Sequence, residues 1–227
     1  MNKDEALLCA KISQSAYGKG YNIGPFQLAG RFDNTTTDTQ GLFGNTNDTL
    51  ILAFRGSEET GITDWITDLK FLSADYPYGG GSDIAVHAGF IEAYQSIRES
   101  IFKVAKDTPH KKIICTGHSL GSALATLCAL DLACNLSGKQ ISSYTYGSPK
   151  VGDPNFVKFY NQKVPHSYRF VNGPDIIPMV PPDIPFLVDY DHIGKLYHVG
   201  DTQASQLSTD AAISHLPQNY VKTLEQA

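Results

Sequence analysis

Short apolar segments recur along the chain, and each of them ends at a glycine or a turn sequence. They are five or six residues long, rich in branched and aromatic side chains, and too short for typical helices, which predicts buried strands. The four clearest segments are residues 49–54, 112–116, 141–146 and 167–171.

Two stretches between and before these segments have helical patterns. Residues 122–136 are rich in Ala and Leu and stop near Gly138, as a helix does at a glycine. Residues 89–105 place four large apolar side chains on one helical face: Phe90, Tyr94, Ile97 and Ile101. Strands separated by helices favour an α/β fold with a central, mostly parallel sheet flanked by helices. The absence of repeats and Gly/Ser linkers favours one domain over residues 1–227.

Composition narrows the classes of partner. The 227 residues are 41% hydrophobic and 18% charged, with a net charge of −5, so we expect a globular protein that does not bind nucleic acid. No apolar run approaches the roughly 20 residues that a bilayer crossing needs, so no transmembrane segment is expected. The first residues lack the apolar centre of a signal peptide. We therefore expect a cytoplasmic protein, or a processed or leaderless secreted one.

The four cysteines lie in apolar contexts and lack CxxC spacing, so they are interpreted as small core side chains. No cluster of His, Cys or acidic residues has the spacing of a zinc or calcium site, and we expect no metal and no other cofactor. The sequence does not indicate an oligomeric state. The cysteines are Cys9, Cys115, Cys128 and Cys134.

The loops after the predicted strands carry candidate chemistry, because ligands bind at the carboxyl ends of strands in such sheets. Residues 117–121, Gly-His-Ser-Leu-Gly, match the G-x-S-x-G motif between a strand and a helix. That context predicts a tight turn in which side chains at positions 117 and 121 would collide with neighbours, and it makes Ser119 the candidate nucleophile. The alternative is a serine that only caps the helix.

A serine nucleophile needs a histidine base and an acid that orients it. In hydrolases of this architecture the chain order is Ser, acid, His, and Asp175 follows the strand at 167–171. Other acids are weaker candidates because they lie in a Pro-rich or Tyr-rich loop: Asp183, Asp189 and Asp191. Three histidines follow Asp175, and order alone does not choose among them: His192, His198 and His215.

Several segments in order resemble the class 3 lipases, the family of fungal triacylglycerol lipases with related feruloyl esterases and phospholipases. The segments are residues 52–57, 64–69, 86–90, 116–121, 146–153 and 172–178. The resemblance implies an α/β-hydrolase fold with Ser119 as nucleophile and Asp175 as the acid. It also implies that His215, followed by Tyr220, is the base, with His192 as the alternative. The chain departs from the family pattern at Ser122, at Ser214 and in the length of the interval from His215 to Tyr220.

Two further features are expected around the serine. The backbone N–H of Leu120, the residue after the nucleophile, is one oxyanion donor, and the resemblance implies Ser57 as the second. Ile62, Trp65, Ile66 and Leu69 share one helical face. The resemblance implies a mobile lid there, whereas the pattern alone is equally typical of a helix packed permanently on the core.

These observations predict a serine carboxylic-ester hydrolase. The substrate that the resemblance favours is a triacylglycerol, cleaved at an oil–water interface through an acyl-enzyme on Ser119. The alternatives are a feruloyl-type esterase or a phospholipase A1 on the same fold, or a binding module without activity. One sequence does not decide among the esters, because chain-length preference depends on the shape of the groove.

Overall fold

The computed structural model describes residues 1–57, 72–81, 83–182, 189–201 and 209–226. Nine strands occur in this part of the chain, and seven of them form one sheet with the order β1-β2-β3-β6-β7-β8-β9. The strands are β1 (Gln27–Asn34), β2 (Thr39–Asn45), β3 (Thr49–Phe54), β4 (Ser73–Asp75), β5 (Ala85–His87), β6 (Lys112–His118), β7 (Gln140–Tyr146), β8 (Ser167–Asn172) and β9 (Lys195–Val199).

The helices cover both faces of this sheet. A single turn of 3-10 helix, Ile177–Met179, follows β8. The α-helices are α1 (Lys3–Ser15), α2 (Ala88–Asp107), α3 (Leu120–Asn135), α4 (Pro154–Lys163), α5 (Thr209–His215) and α6 (Pro217–Gln226).

The sheet is parallel from β3 to β9, and β1 and β2 extend it as an antiparallel hairpin. All six residues of β3 are buried, because the strand lies between β2 and β6 with side chains packed on both faces. The prediction of a mostly parallel sheet flanked by helices is therefore confirmed.

Two hydrophobic cores lie on opposite faces of the sheet. The larger core joins β3 and β6 to α2, α3 and α4, and the smaller core joins the other face to α1 and α6. Helix α3 is buried along most of its length, which explains why its sequence is apolar on all sides rather than on one stripe. This burial fixes the start of α3, where Ser119 lies.

The pattern predicted four strands and two helices correctly, with each end within two residues of the observed one. It did not identify β1, β2 and β9, whose side chains are mostly half-exposed or whose sequences carry glycines, nor the short paired strands β4 and β5. It also missed four helices: α1, α4, α5 and α6.

Cys9, Cys115 and Cys128 are buried, as the core interpretation predicted, and Cys134 is half-buried. All four are free thiols. Within the described ranges, every helix is too short or too polar to span a membrane.

Candidate active site

Ser119 lies in the turn between β6 and α3, with a backbone φ of 58° and ψ of −130°. A positive φ is unusual for a residue with a side chain and stores strain that the surrounding packing must hold. The backbone N–H of Ser119 donates to the carbonyl oxygen of Tyr146 at 3.0 Å, which fastens the turn to the end of β7. The side chain is fully buried, with 0% of its surface exposed.

The two glycines of the turn allow this geometry. A Cβ atom on Gly117 would lie 2.2 Å from the carbonyl oxygen of Gly121, and one on Gly121 would lie 2.2 Å from that of Phe54. Both distances are far shorter than a van der Waals contact, so only glycine fits at either position. The predicted reason for the glycines is confirmed.

Asp175 and His215 meet at the same end of the sheet, although 40 residues separate them. His215 Nδ1 lies 2.8 Å from Asp175 Oδ2, and both side chains are buried. Oδ1 of Asp175 accepts the backbone N–H of Ile177 at 2.9 Å, which fixes the carboxylate plane. Neither Ser119 Oγ nor His215 Nε2 has a hydrogen-bond partner among the residues that the structure describes.

Gly147, at the end of β7, packs directly against this pair. Its φ is +57°, and a Cβ atom there would lie 2.8 Å from Asp175 Oδ2 and 2.8 Å from His215 Nδ1. The glycine therefore meets two demands together, a left-handed backbone and space for the Asp–His contact.

Ser57 and Leu120 line one cavity of about 220 Å³ together with Gly56. Leu120 is the first residue of α3, so its backbone N–H belongs to the unpaired donors of a helix N-terminus. The structure thus brings together the two residues that were expected to bind an oxyanion.

The sequence profile of the family described as "Lipase (class 3)" matches residues 51–184, more than half of the chain. This chain belongs to the class 3 lipase family. The matched range includes Ser119 and Asp175, and His215 lies beyond it.

Two curated relatives and one solved structure illustrate the likeness. The chain is 37% identical to a lipase of Rhizomucor miehei over 166 residues, covering 70% of this chain and 44% of that protein. It is 35% identical to a secreted mono- and diacylglycerol lipase of Fusarium solani over 159 residues, covering 67% of this chain and 44% of that protein. The chain thus aligns with less than half of either relative's length.

The solved structure is that of a triacylglycerol lipase whose catalytic centre is formed by a serine protease triad. It is 26% identical, with a TM-score of 0.76, and the match covers 96% of this chain and 92% of that chain. The chain accordingly has the α/β-hydrolase fold, as the sequence predicted.

The chain departs from the family pattern at Ser122, and the structure shows which groups this serine binds. Ser122 Oγ donates to the carbonyl oxygen of Gly117 at 2.7 Å and accepts the backbone N–H of Tyr146 at 3.1 Å. The hydroxyl therefore connects β6, β7 and α3 immediately beside Ser119.

The long interval between His215 and Tyr220 does not separate Tyr220 from the site. The Tyr220 hydroxyl donates to Asp175 Oδ2 at 2.5 Å and accepts the backbone N–H of Asn172 at 3.1 Å. Burial, and then the nearby Asp175 carboxylate, raise the pKa of Tyr220, so its hydroxyl keeps its proton. Ser214 is the other departure from the family pattern, and its backbone carbonyl oxygen accepts a hydrogen bond from Asn172 Nδ2 at 2.9 Å.

The other candidate histidines have different surroundings. His192 donates through Nε2 to the carbonyl oxygen of Pro178 at 2.7 Å, and His198 is exposed on the edge strand β9. In the part of the chain that the structure describes, the one histidine bound to the Asp175 carboxylate is His215. Of the other acids, Asp191 binds the backbone N–H of His192, and Asp189 is exposed.

The expected lid residues and Asp183 lie outside the described residues. The lid residues are Ile62, Trp65, Ile66 and Leu69. His118, which directly precedes Ser119 in the turn, was not among the candidate bases. In the structure the ring of His118 lies 4.5 Å from the ring of His215, measured between centroids.

Proposed function

We propose that this class 3 lipase hydrolyses carboxylic esters through an acyl-enzyme on Ser119, with His215 as general base and Asp175 as the acid that orients it. Acylglycerols are the substrate class that the relatives' names support, since those proteins are a lipase and a mono- and diacylglycerol lipase.

The observation that carries the proposal is the arrangement of three buried groups. Ser119 Oγ and His215 Nε2 are buried at the same end of the sheet without partners among the described residues, while Nδ1 of His215 is bound to Asp175. A buried hydroxyl or ring nitrogen without a partner is costly for folding, and such groups are typical of reactive centres. The bond to Asp175 places the proton on Nδ1 and leaves the Nε2 lone pair free to accept a proton.

The reaction then has two halves. Ser119 Oγ attacks the ester carbonyl carbon while its proton passes to His215 Nε2, and the tetrahedral intermediate expels the alcohol, which takes that proton. Water adds to the acyl-enzyme by the same route, giving the free acid and regenerating Ser119. Asp175 stabilises the imidazolium in both halves.

The developing oxyanion needs donors that are already in place. We assign this role to the backbone N–H of Leu120 and to Ser57, because both residues line the cavity beside the Ser119 turn. Ile62, Trp65 and Ile66 are proposed to cover the serine in water and to contact the acyl chain.

Exposed apolar side chains near the site support a lipid substrate. Met179 is 54% exposed four residues after Asp175, and Ile213 is 52% exposed two residues before His215. Large apolar side chains exposed around a functional site are typical of surfaces that meet lipids or other apolar ligands.

The test is the initial hydrolysis rate on p-nitrophenyl esters from acetate to palmitate, with Ser119→Ala as the blank. We expect release of p-nitrophenol that rises with acyl length to medium or long chains and a loss of about 10⁴- to 10⁶-fold in the variant.

Other outcomes would change the proposal in defined ways. Cleavage confined to the shortest esters would favour an esterase over a lipase. Equal rates for the wild type and Ser119→Ala would overturn the serine mechanism and leave a binding module.

A further inference from the structure

A pair of side chains, the half-buried Tyr17 and the buried His118, lies beside the proposed base. His118 is 1% exposed, and its ring packs on that of His215 at 4.5 Å with an interplanar angle of 36°. Its Nδ1 lies 2.7 Å from the Tyr17 hydroxyl oxygen, and its Nε2 lies 2.5 Å from the backbone carbonyl oxygen of His215. Both ring nitrogens therefore have a partner.

These partners determine the protonation of His118. A carbonyl oxygen only accepts, so Nε2 carries a hydrogen and donates it to His215. In the neutral ring Nδ1 is then an acceptor, and the Tyr17 hydroxyl donates to it. Burial, followed by the proximity of His215, lowers the pKa of His118 well below its ordinary value, which agrees with the neutral ring.

The carbonyl that His118 binds needs such a partner. Helix α5 has only seven residues and ends at His215. The last four carbonyl oxygens of a helix receive no hydrogen bond from N–H groups of the same helix. The N–H of His118 satisfies this carbonyl and holds the main chain that carries the base.

The Tyr17 hydroxyl also contacts the loop that carries the expected oxyanion donor. A Cβ atom on Gly56 would lie 2.3 Å from the Tyr17 hydroxyl oxygen and 3.1 Å from Ser119 Cβ. Tyr17 follows α1, which is held to the sheet by the hydroxyl of Tyr144 on Glu5. Its position is thus set by packing on the α1 face.

We infer that Tyr17 and His118 are positioning residues, which hold the backbone of His215 and keep a neutral ring beside the base while the base becomes charged. A charged neighbour at this distance would oppose the imidazolium that forms on His215. The inference rests on the proposed function, because it assigns the pair a role only if His215 is the base.

The kinetic test uses Tyr17→Phe, His118→Gln and His118→Phe, with Tyr144→Phe as the matched control. Tyr144→Phe also removes a hydroxyl that anchors α1, at a distance from the site. Measurements are kcat and KM on p-nitrophenyl butyrate per active site titrated with an organophosphate, and the thermal midpoint of each variant.

For Tyr17→Phe we expect kcat to fall about tenfold, as for one lost hydrogen bond in a reacting geometry, with KM changed less than about twofold. His118→Gln keeps an N–H that reaches the position of Nε2, so it should retain about tenfold more activity than His118→Phe. The Tyr144→Phe control should keep the kcat of the wild type even if its thermal midpoint falls as far as that of Tyr17→Phe.

A second readout needs no turnover. Nitrogen-15 spectra of the histidine rings should show His118 with its proton on Nε2 and no titration between pH 5 and pH 8. A proton on Nδ1, a kcat for Tyr17→Phe equal to that of the wild type, or equal losses in His118→Gln and His118→Phe would each overturn the inference.

The two proposals fail differently. A wild type that cleaves no ester while His118 shows the expected tautomer overturns the proposed function and leaves the pair without a base to position. A wild type that cleaves esters while Tyr17→Phe is unaffected overturns the positioning role alone.

Discussion

Two segments after β8 each present a buried or half-buried histidine, and only the ring of His215 is hydrogen-bonded to a carboxylate. In residues 189–201, His192 donates to the Pro178 carbonyl, and burial and nearby Arg169 lower its pKa to about 4. In residues 209–226, His215 binds the Asp175 carboxylate and leaves Nε2 without a partner among the described residues. The same side chain therefore has different partners in the two segments, and we propose a structural role for His192 and a reactive one for His215.

This difference shows which surroundings favour a histidine as a general base. A carbonyl partner occupies the ring nitrogen that would have to exchange protons, and a neighbouring guanidinium opposes the charged ring. A carboxylate on Nδ1 does the reverse, because it stabilises the imidazolium and leaves Nε2 free. Sequence order left His192, His198 and His215 open, and the partners of His192 and His215 favour His215 as the proposed base.

The largest expected effect comes from exchanging each histidine for glutamine in separate variants. His215→Gln should lower kcat/KM on a soluble p-nitrophenyl ester by about 10⁴-fold or more, because no base remains. His192→Gln, which retains a donor toward Pro178, should stay within about threefold of the wild type.

Both variants need an independent measure of folding, such as the near-ultraviolet circular dichroism spectrum. Native spectra with a large loss in His192→Gln and a small one in His215→Gln would reverse the assignment of the base.

The Asp175–His215 contact can be broken without changing either residue. The methyl group of Gly147→Ala would lie 2.8 Å from Asp175 Oδ2 and 2.8 Å from His215 Nδ1. The variant also places an alanine in a left-handed backbone conformation, which is strained. A displacement of about 1 Å at a catalytic group costs on the order of 10² in rate, so kcat/KM should fall about 10²- to 10³-fold.

Gly138→Ala is the matched control for that variant. Gly138 also has a positive φ, +76°, but a Cβ atom there would meet nothing within 4 Å. It should lose about 1–2 kcal/mol of stability from strain, with kcat/KM unchanged. Similar activity losses in both variants would assign the effect of Gly147→Ala to strain rather than to the site.

The predictable part of the site is the part built from adjacent residues. Ser119 follows a strand and precedes a helix, and the flanking glycines report the tightness of the turn directly in the sequence. Asp175 was also found from its place after β8, although its carboxylate plane is set by Ile177 in the next turn.

The remainder depends on contacts between distant positions, which leave no local pattern. His215 was chosen by resemblance rather than from its own surroundings, and Tyr17, 101 residues from His118, gave no signal at all. The edge strand β1 was not predicted for a related reason: most of its side chains are exposed or half-buried, so its sequence has no continuous apolar pattern.

The pH dependence of stability tests the structural role proposed for His192. The pKa of His192 is lowered from 6.5 to about 4 in the folded protein, so between these values the unfolded chain binds more protons. The free energy of unfolding should therefore fall as the pH drops from 6.5 to 4, and His192 contributes about 3 kcal/mol of that fall.

Urea unfolding of the wild type and His192→Gln at pH 7 and pH 4.5 measures this contribution. The variant should lose less stability on acidification than the wild type. The residual fall has the same sign because the pKa of His118 is lowered as well. Parallel curves for the two proteins would contradict the structural role given to His192.

The smallest expected effect concerns the second donor to the Asp175 carboxylate. Tyr220→Phe removes a hydroxyl that donates to Asp175 Oδ2 and accepts from the backbone N–H of Asn172. One bond to a charged group is lost and one buried donor is left without its acceptor. We expect kcat to fall about tenfold and stability to fall about 1–3 kcal/mol.

Tyr160→Phe separates these two consequences. Its hydroxyl is buried among Ser143 and Ser167, so its loss should lower stability by a similar amount without reaching Asp175. The measurements are kcat per titrated site and the thermal midpoint. If Tyr220→Phe lowers kcat while Tyr160→Phe does not, at matched thermal midpoints, the hydroxyl of Tyr220 acts on the Asp–His pair. Equal kcat values would restrict it to holding Asn172 and the C-terminal helix in place.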